Sequence, residues 1–192
     1  MNWNQNIETL NKYLSSISFR NIQGRELGVD EGFAELLNQT KKVRNENNTL
    51  YLVGNGASAS MASHMAADFA KNGRIKTQVF TDLSLITAIA NDISFNEIFA
   101  EPIRFQMVEN DMLVAISSSG NSKNVIRACE ECRKKNGKII TLSAMKRDNA
   151  LQSLGDINIY IPAQTYGWAE SGHAAILHYW MDLVQEEVQK NV

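Results

Sequence analysis

The sequence predicts an α/β fold in which a parallel sheet is covered by helices on both faces. From Leu50 onward, short apolar segments alternate with longer segments whose apolar residues have helical spacing. This alternation is typical of right-handed βαβ crossovers, which place helices on both sides of a parallel sheet. In addition, two of the apolar segments end in glycine- or serine-rich turns that lead directly into helices. Such turns at the carboxyl edge of a parallel sheet are common ligand-binding positions.

The elements follow in order along the chain. The first 46 residues have helical spacing and few turn signals, so we expect a helical segment over residues 1–46. The apolar segments beyond it predict five strands, at about 50–53, 77–80, 112–116, 138–142 and 157–161. The segments between them predict helices at about 58–71, 83–90, 95–108, 122–135 and 168–189. Because only two prolines and no low-complexity segment occur, we expect no linker and a single domain over residues 1–192.

Composition and charge exclude several classes of partner. At 192 residues the chain is long enough for one domain with a sizeable core. Its 44% hydrophobic and 21% charged residues are typical of soluble globular proteins. A net charge of −2 provides no general attraction to nucleic acid or to an anionic membrane, so neither is expected as a partner. No signal segment and no apolar run of bilayer length occurs, which predicts a cytoplasmic location.

The two cysteines form a CxxC pair, Cys129 and Cys132, inside the predicted helix VIRACEECRKK. They share one helical face with Val125 and Ile126. A structural zinc site needs a second pair of ligands, and none follows at a suitable spacing. We therefore expect two core cysteines that act as small apolar side chains, with a redox pair as the alternative.

The segment AISSSGNSKNVI contains a turn of small hydroxyl residues, Ser117 to Ser122, between a predicted strand and an amphipathic helix. Such a turn at a helix N-terminus offers clustered N–H donors and the positive end of the helix dipole, which suit a phosphate dianion. The alternative is a Ser/Asn-capped turn that binds no ligand.

A second turn, in YLVGNGASAS, follows the first predicted strand. Gly54, Asn55 and Gly56 form the tight turn, and Ser58 and Ser60 begin the next helix. The segment lacks the Lys-Ser/Thr of a P-loop and the glycine spacing of the dinucleotide fingerprint, so no nucleotide cofactor is expected. Together the two turns predict one small anionic ligand at the carboxyl edge of the sheet.

The three histidines each have a carboxylate at helical spacing. His64 and Asp68 are four residues apart, which suits a base with its orienting carboxylate, a pair of metal ligands, or a simple ion pair. Glu170 and His173 are three residues apart near the start of the last helix. His178 lies about 140° around that helix from His173 and is better aligned with Glu170, so at most two of these three face one site.

The last predicted helix carries large apolar residues on more than one side. In a chain of this size that favours an oligomer interface over core packing in a monomer. These residues are Trp168, Ile176, Leu177, Tyr179, Trp180, Met181, Leu183 and Val184.

Four segments in this order resemble the SIS (sugar isomerase) domain family: GNGASAS followed by His64, TAIANDISFNEIF, ISSSGNSKNVI and KIITLSAM. The most similar group is the phosphoheptose isomerases, which interconvert sedoheptulose 7-phosphate and a mannoheptose 7-phosphate. The resemblance implies a five-stranded parallel sheet in a three-layer, flavodoxin-like α/β/α sandwich. It also implies a phosphorylated sugar substrate and a homotetramer with active sites built between subunits.

The resemblance also assigns roles to individual residues. Those expected to line the sugar are Asn55, Gly56, Ala57, Ser58, Asn91 and Asp92. Those expected to hold the phosphate through hydroxyl and backbone donors are Ser117, Ser118, Ser119 and Ser122.

Three positions depart from the family pattern. Asp68 stands where the family has its catalytic glutamate, and ESGH places His173 where a metal-binding glutamine is expected. The later histidine of the last helix, a ligand and acid/base in the family, falls at Met181. A rewired site would use Asp68 or Glu170 as base and His173 as acid. Alternatively, His64, Asp68 and His173 would bind zinc or another divalent metal with an open position.

Two functions follow from the sequence. The first is an aldose–ketose isomerase of a phosphosugar. Its candidate substrate is sedoheptulose 7-phosphate or a heptose 7-phosphate, in a route to nucleotide-activated sugars or surface polysaccharides. The second is a non-catalytic SIS protein, either a phosphosugar-binding regulator or a protein-binding scaffold, and Met181 motivates this alternative.

Overall fold

The computed structural model describes residues 2–190, which form a seven-stranded sheet between two layers of helices. The helices are α1 (Trp3–Leu14), α2 (Val29–Asn45), α3 (Ala57–Lys71), α4 (Leu83–Asp92), α5 (Ala100–Gln106), α6 (Lys123–Lys134) and α7 (Tyr166–Gln189). The strands are β1 (Ser18–Asn21), β2 (Glu26–Leu27), β3 (Thr49–Gly54), β4 (Lys76–Val79), β5 (Met112–Ser117), β6 (Lys138–Ser143) and β7 (Ile157–Tyr160). Two 3-10 turns occupy Phe95–Glu97 and Ala150–Ser153.

The strand order is β2-β1-β7-β6-β5-β3-β4. Strands β3 to β7 are parallel to one another, and they are the five strands predicted from the sequence. Strand β1 pairs antiparallel with both β7 and β2. The sheet is therefore mixed, and the prediction of a five-stranded, all-parallel sheet is wrong in strand number.

The two additional strands form a hairpin inside the segment predicted to be entirely helical. The Asn21 side-chain oxygen accepts hydrogen bonds from the backbone N–H groups of Gln23 and Arg25, and Gly24 has a φ of 77°. Phe19 is fully buried against Gly32 of α2, where an added Cβ would lie 2.3 Å from the Phe19 ring. Local turn chemistry and this close contact thus interrupt the helical pattern between α1 and α2.

The predicted helix over 95–108 is also divided, into the first 3-10 turn and α5. The other predicted helices are present, with boundaries that shift by up to two residues. For the part of the chain the structure describes, no helix combines the length and apolar character required to cross a bilayer.

The core lies in two layers because alternate strand residues face opposite sides of the sheet. Leu50 and Leu52 pack with α2, α3 and α7, whereas Tyr51 and Val53 pack with α4, α5 and α6. Helix α1 lies outside these layers on α7, and none of its described residues is buried.

The CxxC cysteines are buried and unpaired, as predicted for core residues. Burial raises the pKa of Cys132 to about 12 and raises that of Cys129 further. Both thiols therefore stay protonated and unreactive near neutral pH.

Candidate active site

The two turns singled out in the sequence lie side by side at the carboxyl edge of the sheet. Strands β3 and β5 are adjacent and parallel, and Gly54 at the end of β3 pairs with Ile116 near the end of β5. The glycine turn after β3 leads into α3, and the serine turn after β5 leads into α6. Two helix N-termini therefore meet at one point of this edge, which is a favourable environment for an anion.

The serine turn is held by its own hydrogen bonds. Ser117 and Ser118 are buried, and the Ser117 hydroxyl donates to the Ser122 hydroxyl over 3.0 Å. The Asn121 backbone N–H donates to the Ser119 hydroxyl oxygen over 3.2 Å. Because Ser122 accepts from Ser117, its own hydroxyl proton can be donated to a ligand.

The glycine turn lies beside the serine turn and contributes Asn55 to the space between them. Gly56 has a φ of 55°, and no atom lies within 4 Å of the position a Cβ would occupy. Asn55 is joined to Asn124 on α6 by two amide hydrogen bonds of 2.9 Å each. These bonds link the two turns directly.

A pocket of about 160 Å³ opens between the turns and the start of α7. Seven residues predicted to bind or convert the substrate line it, together with Ile116 and Tyr166, which the sequence did not indicate. The seven are Asn55, Ser58, Ser117, Ser118, Ser119, Ser122 and Glu170.

The other predicted sugar-binding residues lie outside this lining. Gly56 and Ala57 are exposed at the start of α3. Asn91 and Asp92 are exposed at the end of α4, where the Asn91 amide donates to the Asp92 carboxylate over 2.8 Å. Their assignment to the sugar stays a prediction.

A histidine–carboxylate cluster occupies the surface between α3 and α7. His64 Nε2 lies 3.4 Å from the Asp68 carboxylate, and the His64 and His178 rings are 5.3 Å apart between centroids. One ligand atom from each of the three residues lies within 4.8 Å of the others. Two imidazoles and one carboxylate form a donor set that suits zinc in a three-ligand site with an open position.

His173 lies elsewhere. It is only 1% exposed, and among the described residues neither ring nitrogen has a hydrogen-bond partner. Burial lowers the pKa of His173 to about 4, and the Ser143 backbone raises it by a smaller amount. The ring is therefore neutral at neutral pH. The structure therefore combines His64 and Asp68 with His178 rather than with the predicted His173.

The geometry of α7 explains this difference. His173 and His178 are on different sides of the helix, and the core takes up the side that carries His173. Met181, to which the resemblance assigned the family's later histidine, is 3% exposed and packs in the core. His178, one turn before Met181, occupies the position next to His64.

A family model described as "SIS domain" matches residues 23–144, well over half of the chain. The chain belongs to the SIS domain family. Phosphoheptose isomerase 2 of Campylobacter jejuni is 33% identical to it, over 95% of this chain and 96% of that protein. The structure of a phosphoheptose isomerase from Neisseria gonorrhoeae is 26% identical with a TM-score of 0.76, over 80% of this chain and 86% of that one. A phosphoheptose isomerase from Francisella tularensis shares the fold, with a TM-score of 0.82 at 22% identity over 95% and 96% of the two chains.

The SIS match covers both turns but ends before α7. Three of the four segments used for the resemblance correspond to strand ends at the carboxyl edge: β3 with α3, β5 with α6, and β6. The match therefore does not include Glu170, His173 and His178 on α7. The three-dimensional structure shows which of these three residues lines the pocket.

Proposed function

We propose that this SIS protein is an aldose–ketose isomerase that converts sedoheptulose 7-phosphate into a heptose 7-phosphate for nucleotide-activated sugar or surface polysaccharide synthesis. The supporting observation is the pocket that combines the serine turn, Asn55 and Glu170. The names of the relatives from Campylobacter jejuni and Neisseria gonorrhoeae support the same chemistry.

The phosphate end of the substrate is assigned to the serine turn. Hydroxyl groups of Ser119 and Ser122 and the first N–H groups of α6 supply donors, and the α6 dipole stabilises the negative charge. A dianion is thereby bound without a lysine or arginine among the described residues that line the pocket.

The proton transfer is assigned to Glu170. Isomerisation removes a proton from the carbon beside the carbonyl and returns it to the neighbouring carbon through an enediolate. Glu170 is the one carboxylate among the described residues that line the pocket, whereas Asp68 pairs with His64. The catalytic roles predicted for Asp68 and His173 remain predictions, and the burial of His173 favours Glu170 for the direct contact.

His64, Asp68 and His178 would hold zinc or another divalent metal, which when bound supplies a Lewis acid for the substrate oxygens. With His178 in this cluster, Met181 no longer argues against catalysis. The non-catalytic alternative thus loses the observation that motivated it.

The homotetramer implied by the resemblance is part of the proposal. His178 lies eight residues after Glu170, or about 12 Å along α7, so in this proposal a substrate in the pocket meets a bound metal only where two subunits build one active site. Exposed apolar side chains on the layer of α4 and α5 support subunit contacts. They are Leu83, Ile93, Phe95, Phe105 and Val108.

Turnover of sedoheptulose 7-phosphate in D₂O tests the activity. We expect conversion to the aldose with deuterium incorporated from solvent. Glu170→Gln is expected to lower kcat at least about a hundredfold, the lower end of what general-base catalysis supplies, while binding persists. The double variant Ser119→Ala/Ser122→Ala is expected to raise KM, because hydrogen bonds to a charged group are lost. Binding of the phosphosugar without exchange or conversion would instead establish the regulator or scaffold function.

Metal content tests the cluster separately. Elemental analysis of protein purified without chelators is expected to show about one divalent metal per chain. His64→Ala and His178→Ala should lose it, and His173→Gln should keep it, because His173 lies in the interior. Loss of the metal in the His173 variant, with retention in the His178 variant, would restore the trio predicted from sequence.

A further inference from the structure

We infer that Asn124 is a positioning residue of the site, which acts on the substrate through Asn55. This inference rests on the proposed function, because it assigns a role within the same pocket. The motif NSKNVI contains Asn124 as part of a helix start, and its capping pattern alone gives it no function.

Asn124 is a buried residue in the first turn of α6, with 2% exposure. Its Nδ2 donates to Asn55 Oδ1, and its Oδ1 accepts from Asn55 Nδ2, both over 2.9 Å. The Val125 backbone N–H also donates to Asn124 Oδ1, over 3.0 Å. The bond to Val125 is buried and the two bonds to Asn55 are part-buried, so an unpaired Asn124 amide in the interior would be costly.

The contact with Val125 determines the orientation of both amides. A backbone N–H is a donor only, so the Asn124 atom that faces it must be the oxygen. The Asn124 nitrogen then has to face Asn55 Oδ1, and Asn55 in turn has to present Nδ2 to Asn124. The helix backbone thereby sets which face of the Asn55 amide is directed to Asn124 and which is left for a ligand.

The two asparagines differ in their access to the pocket. Asn55 lines it and keeps one N–H of its amide outside the pair, whereas Asn124 is absent from the lining. Any effect of Asn124 on the substrate therefore passes through Asn55. Because Asn124 belongs to α6 and Asn55 to the turn before α3, the pair also fixes the position of the serine turn relative to the glycine turn.

A double-mutant cycle with sedoheptulose 7-phosphate tests this coupling. Asn124→Ala is expected to raise KM about tenfold, since it leaves the Asn55 amide and the Val125 N–H without their partner. Asn55→Ala is expected to raise KM by a similar factor. In the Asn55→Ala background, Asn124→Ala should change KM less than about twofold, because its route to the substrate is already removed. Calorimetric binding of the same phosphosugar provides the affinity without relying on turnover.

Two further variants separate positioning from folding. Asn124→Asp retains the acceptor for Val125 but loses the donor to Asn55, so it should fold and still raise KM. Asn158→Ala is the matched control, since Asn158 is equally buried and hydrogen bonded near Gly155, in the β7 region. It is expected to lower the thermal unfolding temperature and to leave KM within twofold of the wild type.

The results distinguish this inference from the function on which it rests. Multiplicative effects of Asn55→Ala and Asn124→Ala on KM, or an unchanged KM in both Asn124 variants, would overturn the positioning role in an active protein. A wild-type protein that binds but does not convert the phosphosugar would overturn the proposed activity, while the cycle of binding affinities would still decide the role of Asn124.

Discussion

A single glycine determines the shape of the serine turn. Gly120 has a φ of 65°, and a Cβ on it would lie 2.0 Å from Oδ1 of Asn149. Its N–H donates to the Ser117 carbonyl, and its carbonyl accepts from the Leu151 N–H. Both the backbone conformation and the contact with Asn149 thus require a residue without a side chain.

Gly120→Ala is expected to destabilise the protein by about 2–4 kcal/mol, because conformational strain adds to a steric clash. It should also weaken binding of inorganic phosphate, since the serine turn has to move. Gly56→Ala is the matched control, because Gly56 has a similar φ but open space around it. The control should lose only the conformational term, about 1–3 kcal/mol, because the Gly56 backbone (φ 55°, ψ −124°) lies in a region that residues with a side chain rarely adopt. Urea unfolding measures both changes, and a loss for Gly120→Ala no larger than the conformational term alone would show that the contact with Asn149 is unimportant.

At the scale of elements, the five parallel strands could be predicted because they are buried on both faces. β5 illustrates this, since all six of its residues are buried and it reads as a continuous apolar run. The hairpin of β1 and β2 could not be predicted in the same way. β1 has four residues and β2 two, and only Phe19 is buried, so the periodic signal is too short. Asn21 and Gly24 are the turn signals that could have identified it.

The site residues that lie in turns could be predicted from the sequence. The face of α7 that is directed toward the site could not. The serines of the β5–α6 turn and Asn55 follow strand ends, so topology alone places them together. For α7, the sequence indicates that His173 and His178 face different directions. Which of them faces the core depends on how α7 packs on α3 and the sheet, and this information is absent from the local sequence.

At the scale of the whole molecule, the two layers of helices contribute different parts of the site. The layer of α2, α3 and α7 carries the histidine–carboxylate cluster, and the opposite layer contributes α6 with the serine turn. The pocket lies where α3, α6 and α7 begin, so its shape depends on packing across the sheet. Buried polar groups within this arrangement, such as His173, therefore affect the stability of the entire fold.

His173 makes the stability of the protein depend on pH. Its pKa is about 4 in the folded protein and about 6.5 when exposed, so the unfolded chain binds more protons between these values. The free energy of unfolding is therefore highest above pH 6.5 and decreases as the pH falls toward 4. Between pH 7 and pH 5 this group accounts for a loss of about 2 kcal/mol. The pKa values of Glu97 and Glu131 are lowered from 4.5, so these two groups change the stability only below about pH 4.5, outside the range from pH 7 to pH 5.

His173→Leu is expected to remove most of this loss, because leucine fills similar space and does not titrate. Urea unfolding at pH 7, 6 and 5 measures it as a flatter dependence of the free energy of unfolding on pH. Ser171→Ala serves as control, since Ser171 is exposed on the same helix and does not titrate, and it should retain the slope of the wild type. A His173→Leu protein with the wild-type slope would mean that the ring gains a proton in the folded state through local opening of α7. In that case the interior position of His173 would not persist in solution, and its predicted role as a metal ligand or acid would regain support.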